Sequence, residues 1–249
     1  MLIDLQIHDA RPVVLTGAQR SADGPASDGA RNLQAAISVA TSIACRDQGA
    51  LVCFGGFIHA ARGTRKTHNS SLEAFHDADR GPIGVVLDDR SVRIHTKVSS
   101  HFITPLQPLN GVRVDTIAIY PGADRVPMDA CVSAGARGLV LQATGCGNAP
   151  IDIANAARDH IQAGVTIVLS SRVQAGAIRG VYGGGGGGMD LLSAGSISAG
   201  RLRPSQARIL LAALLASNAT PEQIGDAFAY EPPRYVDRPD AELHIYADH

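Results

Sequence analysis

The stretch from 138 to 169 reads GLVLQATGCGNAPIDIANAARDHIQAGVTIVL, and it determines the fold class. The apolar run at 138–142 predicts a strand, the segment 151–163 predicts an amphipathic helix, and the run at 165–169 predicts a second strand. The same alternation begins upstream, at residue 114. Because strands that alternate with helices build parallel sheets, we expect a small parallel-sheet domain of the flavodoxin or Rossmann-like kind in the C-terminal half.

The N-terminal half has shorter predicted strands. Apolar runs predict buried strands at 12–15 and 50–54. A hairpin is predicted over 83–95, around the polar turn Asp88-Asp89-Arg90. This mixture of local and crossover strands indicates a mixed sheet.

Two helices are predicted in the same half. Residues 2–7 place apolar side chains on one helical face, and no capping residue precedes them, so we expect the chain to begin inside an element. The second helix is capped by Ser27 or Asp28. Its expected apolar face consists of Leu33, Ile37 and Ala40.

The prolines and the closing Asn-Gly of 105–111 predict a linker. The expected organisation is a truncated N-terminal domain over 1–104, a C-terminal domain over 112–229 and a loosely ordered polar tail over 230–249. The fold class is therefore α/β, with two α/β domains. The N-terminal domain is expected to be incomplete and to expose a strand edge and apolar surface.

Composition excludes several classes of function. The formal net charge is −1, and Arg62, Arg65 and Lys66 are too few for a phosphate-tracking surface, so we expect no nucleic-acid partner. The apolar run at 209–216 is too short to span a bilayer, and the N-terminus does not resemble a signal peptide. Cysteines without metal-ligand spacing indicate free thiols in a cytoplasmic protein with no metal and no cofactor. Six consecutive glycines at 183–188 are interpreted as a mobile loop.

Three stretches together resemble the bacterial, threonine-nucleophile asparaginase family. They are VVLTGAQR at 13–20 followed by SDG at 27–29 and NL at 32–33, RKTH at 65–68 with AF at 74–75 downstream, and ATGCGN at 143–148 followed by SSRV at 170–173. Their order and spacing match the family from residue 1 to about residue 228.

The resemblance implies an enzyme that hydrolyses L-asparagine to L-aspartate and ammonia through a threonine-bound acyl-enzyme. It implies a homodimer or homotetramer with the active site between subunits. Lys66 falls on the family's catalytic lysine, which assists a threonine hydroxyl. Asn148 falls on an asparagine that contributes to the substrate site of the partner subunit. From the residues alone, Lys66 is a solvated loop lysine and Asn148 a turn residue or helix cap.

The sequence also departs from the family pattern. It contains neither the Thr-Gly-Gly-Thr stretch of the first nucleophile nor the Gly-Thr-Asp-Thr stretch of the second threonine and the aspartate. Thr16 follows the wrong strand to replace them, and 177–183 lacks the glutamate of the secretory type. We therefore expect an N-terminally truncated asparaginase that is inactive as given.

Three alternatives remain open at this point. The first is a non-catalytic asparaginase-like binding or assembly module. The second is the amidase subunit of a tRNA-dependent amidotransferase, which would require an extra N-terminal domain and a basic surface. The third is a cysteine hydrolase built on Cys146, for which the sequence suggests no His–Asp pairing.

Overall fold

The computed structural model describes residues 1–98, 103, 106–231 and 235–236, which fold around two separate larger sheets. The elements of the N-terminal half are α1 (Leu2–Gln6), β1 (Val13–Leu15), α2 (Gly29–Thr41), β2 (Ala50–Phe54), β3 (Phe57–Ala60), β4 (Arg65–Lys66), β5 (Phe75–His76), β6 (Gly84–Val86), β7 (Val92–Ile94) and β8 (Thr96–Lys97), with a 3₁₀ turn at Ile43–Cys45. The later elements are β9 (Arg113–Ala118), α3 (Val126–Ser133), β10 (Ala136–Ala143), α4 (Ile151–Gln162), β11 (Thr166–Ser171), α5 (Gly188–Ser193), β12 (Ile197–Ser198), α6 (Pro204–Ala216), α7 (Pro221–Ala229) and β13 (Tyr235–Val236).

The N-terminal sheet is mixed and has the strand order β1-β2-β3-β6-β7. β1 and β2 are parallel, and the other neighbours are antiparallel. The predicted hairpin is confirmed, with Gly84 opposite Ile94 and Val86 opposite Val92. Arg90 lies in the turn of this hairpin and has a φ of 67°, a left-handed backbone conformation that occurs in tight turns. β4 and β5 form a separate two-stranded ribbon.

The C-terminal sheet is fully parallel, as predicted, with the order β12-β11-β10-β9. Leu139 and Leu141 of β10 pack under α3, α4 and α5, whereas Val140 packs under α6 and α7 on the other face. This alternation follows from the two-residue period of a strand. α6 approaches β10 closely at Gly138, where an added Cβ would lie 2.8 Å from Leu211 Cδ2. The expected α/β class with two α/β domains is confirmed.

The predicted apolar face of α2 is wrong. Leu33 and Ile37 are 56% and 55% exposed, and Ala40 is also exposed. The helix instead buries Asn32, Ala35, Ala36 and Val39. Small alanines let the helix lie close to the sheet, and the amide of Asn32 is buried without penalty because it hydrogen-bonds the neighbouring backbone.

β1 is an edge strand. It pairs with β2 on one side, and no strand pairs with its other side among the described residues. Val13 is 40% exposed there, as expected for an open edge. α1 starts without a side-chain cap, and its Leu5 is buried in the core beneath α6 rather than in the N-terminal sheet.

A buried glutamine joins the two halves. Gln206 Nε2 donates to the carbonyls of Ala61 (3.0 Å) and Thr64 (2.7 Å), and its Oε1 accepts from Gly63 N (2.7 Å). Side-chain contacts therefore fix the relative position of the halves in addition to the covalent connection.

The predicted domain boundaries stay predictions. The described part of the 105–111 segment, 106–111, forms no helix or strand. Most of the predicted 230–249 tail lies outside the described residues; within it, β13 pairs antiparallel with β8. No helix in the described part of the chain is both long and apolar enough to cross a membrane.

Candidate active site

Lys66 lies on the β4–β5 ribbon rather than in an irregular loop. It pairs with Phe75, and the ribbon continues through a hydrogen bond from Thr67 N to the Ala74 carbonyl (2.8 Å). The side chain is exposed, and its Nζ donates to Gln19 Oε1 at 2.9 Å. Gln19 Nε2 in turn donates to the Asn69 carbonyl. The lysine is therefore held by a side chain that is 47 residues away in sequence.

The loop that carries Gln19 is fixed by the start of α2. Asp28 accepts from the backbone N–H groups of Gln19 (3.0 Å) and Arg20 (2.9 Å) instead of capping its own helix. Burial opposes the charge on Asp28, but the N–H groups of Arg20 and Gln19 prevail and lower the pKa of that carboxyl. Asn32 Nδ2 donates to Gly17 O and to Asp28 Oδ2, both at 2.9 Å. The polar side chains at the start of α2, those of Asp28 and Asn32, therefore position the loop that carries Gln19.

These elements enclose a groove of about 310 Å³, called here the lysine groove. Its lining residues are Leu15, Thr16, Gly17, Ala18, Gln19, Val52, Phe54, Lys66 and Phe75. The rings of Phe54 and Phe75 lie 5.0 Å apart and form part of its wall. Lys66 is the charged residue of this lining, so the groove can present an ammonium group to a developing negative charge.

Asn148 lies in the turn that follows β10 and does not line the lysine groove. Its carbonyl accepts from Thr144 N (3.0 Å) and Oγ1 (2.9 Å), which closes a tight turn. Its Oδ1 accepts from Gly188 N at 3.2 Å. Gly188 is the first residue of α5, so Asn148 acts locally as a turn residue and helix cap. The described residues therefore place Lys66 in the lining of the lysine groove and Asn148 outside that lining.

The glycine run closes around a carboxylate. Asp190 Oδ2 accepts from Gly185 N (2.8 Å) and Gly187 N (3.0 Å), and these N–H groups lower the pKa of Asp190. Gly185 has a φ of 103°, which favours glycine, and a Cβ on Gly187 would lie 1.8 Å from the Tyr182 carbonyl. The run is thus a shaped turn that leads into α5, a helix that the sequence pattern did not predict.

The described residues give little support to a metal site or to a cysteine nucleophile. Lys66 forms no ion pair with a carboxylate there, and no group of three or more His, Cys, Asp or Glu side chains could hold a metal ion. Cys146 is half-buried in the turn before Asn148, and its carbonyl accepts from Arg179 N at 3.1 Å. The turn itself therefore accounts for the position of Cys146.

The sequence pattern assigned no role to Gln19 or Asn32, and it assigned Asp28 only a possible role as a helix cap. All three residues lie in the stretches that resemble the family, but the hydrogen bonds of Gln19 to Lys66 and of Asn32 to Gly17 and Gly55 join segments that are distant in sequence. The Ser27-Asp28-Gly29 signature did indicate a cap, and the carboxylate serves the neighbouring loop instead.

Comparison with known proteins agrees with this architecture. The model for the glutaminase/asparaginase C-terminal domain matches residues 113–228, and the model for the N-terminal asparaginase domain matches residues 1–100. An L-asparaginase of Bacillus licheniformis is 32% identical over 229 residues, which cover 92% of this chain and 70% of that protein. A probable L-asparaginase of Deinococcus radiodurans is 36% identical over 223 residues, or 87% of this chain and 66% of that protein.

A second kind of relative is more distant. A glutamyl-tRNA(Gln) amidotransferase component of Halobacterium salinarum is 29% identical over 231 residues, 85% of this chain and 52% of that protein. The chain thus spans between 52% and 70% of the length of these three relatives. The two matched domains and the extent of these similarities show that the chain belongs to the glutaminase/asparaginase family.

Proposed function

We propose that this chain forms the lysine-bearing part of an amidohydrolase site that converts L-asparagine to L-aspartate and ammonia. The position of Lys66 carries this proposal. Lys66 lines the lysine groove, and its ammonium donates a hydrogen bond to Gln19 Oε1. The L-asparaginase names of two relatives support the same substrate.

The proposed chemistry is nucleophilic. A threonine hydroxyl attacks the side-chain amide carbon, the C–N bond breaks, and ammonia leaves after protonation. Water then hydrolyses the threonine ester and releases aspartate. A hydroxyl is a weak nucleophile at neutral pH, so the positive charge of Lys66 would lower its pKa and stabilise its alkoxide.

We further propose that the 249 residues alone do not catalyse this reaction at an enzymatic rate. Neither threonine stretch of the family occurs in the sequence, and Lys66 carries no acyl group in this mechanism. Loss of a nucleophile typically leaves only roughly 10³-fold acceleration over water. The competing proposal is a non-catalytic binding or assembly module, because a protein of that kind would also lack the two threonine stretches.

Ammonia release from asparagine tests both proposals. The 249-residue chain should be inactive, and the chain joined to a segment that carries both threonine stretches should be active. Turnover near about 1 s⁻¹ by the short chain, abolished by Thr16→Val, would make Thr16 the nucleophile and contradict the proposal. Inactivity of a folded joined chain would favour the non-catalytic module.

Association is part of the proposal. We infer a homodimer or homotetramer formed through the C-terminal half, with Asn148 contributing to the partner's site. Ile151, Val181, Tyr182 and Met189 are exposed apolar residues around the glycine run, and surfaces of this kind often mark interfaces. Sedimentation should show an oligomer that Tyr182→Asp weakens. A monodisperse monomer at micromolar concentration would contradict it.

A cytoplasmic location belongs to the same set of proposals. All four cysteines are free thiols, which fits a reducing compartment. Alkylation of the denatured protein isolated from cells should find every thiol reduced.

A further inference from the structure

A small polar cavity lies between the two domains, away from the lysine groove. Its volume is about 20 Å³, enough for one water molecule or one small ion. The N-terminal domain contributes Arg62, Asp77 and Arg80 to its wall, the C-terminal domain contributes Arg201, and Glu231 comes from the segment that follows the C-terminal domain. The proposed reaction uses none of these residues.

Arg62 is the most deeply buried charge of this wall, at 5% exposure. Its Nη2 donates to the carbonyls of Ala227 (3.1 Å) and Tyr230 (3.0 Å), but its Nη1 is buried and has no hydrogen-bond partner among the residues that the structure describes. Asp4, a nearby buried carboxylate, accepts from Ala50 N and forms no ion pair with the guanidinium. A buried cationic donor that has no acceptor is costly, so Nη1 points to a missing acceptor.

The charges around the cavity leave a positive surplus. Three guanidiniums, Arg62, Arg80 and Arg201, face two carboxylates, Asp77 and Glu231. Glu231 is 3.1 Å from Arg201 and 3.9 Å from Arg80, so one carboxylate serves both. Burial raises the pKa of Asp77, so this carboxyl is less able to carry the negative charge that would balance the guanidiniums.

The charges just behind the wall leave this surplus unchanged. Asp79 lies 3.0 Å from Arg201, but it is shared with a further buried guanidinium, that of Arg203, at 3.4 Å. Asp79 is therefore matched by Arg203. Asp4, the other carboxylate near Arg62, is balanced by the guanidinium of Arg65, which lies near Asp77 and Asp79.

The pKa of Arg62 reflects this surplus of positive charge. Burial, followed by the charge of Arg80, lowers the pKa of Arg62 to about 10. A negative charge in the cavity would oppose both effects, because it would pair with the guanidinium and screen it from Arg80.

We propose that the cavity binds a small monovalent anion of the chloride class, which accepts the free Nη1–H of Arg62 and neutralises the positive charge at the domain junction. The volume excludes phosphate and sulfate, and a single surplus charge matches a single negative charge. The anion would join the domains next to the Gln206 contacts, so the stability of the folded chain would depend on halide concentration.

Crystals grown with bromide in place of chloride test the site directly. Anomalous diffraction at the bromine edge should give a peak in the cavity within hydrogen-bonding distance of Arg62 Nη1. An ordered water without anomalous signal, or an empty cavity, would overturn the proposal.

Thermal unfolding at fixed ionic strength gives a second readout, with chloride exchanged for gluconate, which is too large to enter. Once chloride exceeds its Kd, the folded-to-unfolded ratio should rise about tenfold per tenfold increase in chloride. Arg62→Gln should abolish this dependence, whereas Arg125→Gln, a change at an exposed ion-paired arginine, should retain it. If Arg62→Gln does not fold, Arg80→Gln should weaken the dependence instead. A dependence equal in all variants would refute specific binding.

Discussion

Replacing His59 by phenylalanine should remove a large part of the acid sensitivity of this protein. His59 lies on β3 and is 1% exposed, and in the described part of the chain neither ring nitrogen has a hydrogen-bond partner of good geometry. Its ring meets that of His76 at 78°, with centroids 5.8 Å apart. Burial, followed by the charge of His76, lowers the pKa of His59 to about 4, against a weaker opposing contact with the Gly81 backbone.

The sign of the effect follows from proton binding. In the unfolded chain His59 takes up a proton near its ordinary pKa of about 6.5, whereas the folded chain resists protonation down to about pH 4. The unfolded state therefore binds more protons over this interval, and the free energy of unfolding falls as the pH falls from about 6.5 to 4. The difference between these two pKa values corresponds to about 3 kcal/mol.

Urea unfolding followed by circular dichroism at a series of pH values measures this quantity. The wild-type free energy of unfolding should decline by about 3 kcal/mol more than that of His59→Phe between pH 7 and 4. Phe57→Leu is a matched control, because it disturbs the packing next to His59 without removing a titrating group. Curves for wild type and His59→Phe that stay parallel over this range would refute the reasoning.

Three further predictions concern stability. Gln206→Ala removes three hydrogen bonds between the domains and leaves buried backbone groups unpaired, so urea unfolding should show a loss of about 2–4 kcal/mol; a loss below about 0.5 kcal/mol would mean that water replaces the glutamine. Gly138→Ala should destabilise by about 1–3 kcal/mol through overlap with Leu211, whereas Gly225→Ala, in open space on α7, should stabilise by about 0.5–1 kcal/mol; equal effects would contradict the packing argument. Asp190→Ala should speed hydrogen exchange of the Gly185 amide at least tenfold, and unchanged protection would show that the carboxylate does not hold the run.

The sequence predicts best where the pattern is local and strongly apolar. β2 begins and ends as predicted, and α4 differs from its predicted range by one residue, because the boundaries of both are marked by glycine, proline and sharp changes in hydropathy. The parallel C-terminal sheet follows directly from the alternation of strands and helices.

Prediction fails where nonlocal polar contacts outweigh the apolar pattern. Leu33 and Ile37 indicate one face of α2, but the buried face includes Asn32, whose amide bonds the backbone of two other segments. The sequence of the glycine run does not predict the turn that the run forms, because that turn is held by hydrogen bonds to Asp190, a residue outside the run. The contact between Gln19 and Lys66 likewise has no local signal.

The central claim, that Lys66 belongs to an amidohydrolase site, is tested most directly by a pair of lysine variants. In the chain joined to both threonine stretches, ammonia release from asparagine should fall by at least about 10²-fold in Lys66→Ala, as expected for loss of a catalytic group. Lys97, the other lysine of the sequence, is exposed on β8 and does not line the groove, so Lys97→Ala should retain wild-type turnover. Equal turnover in the two variants, with both folded, would contradict the account.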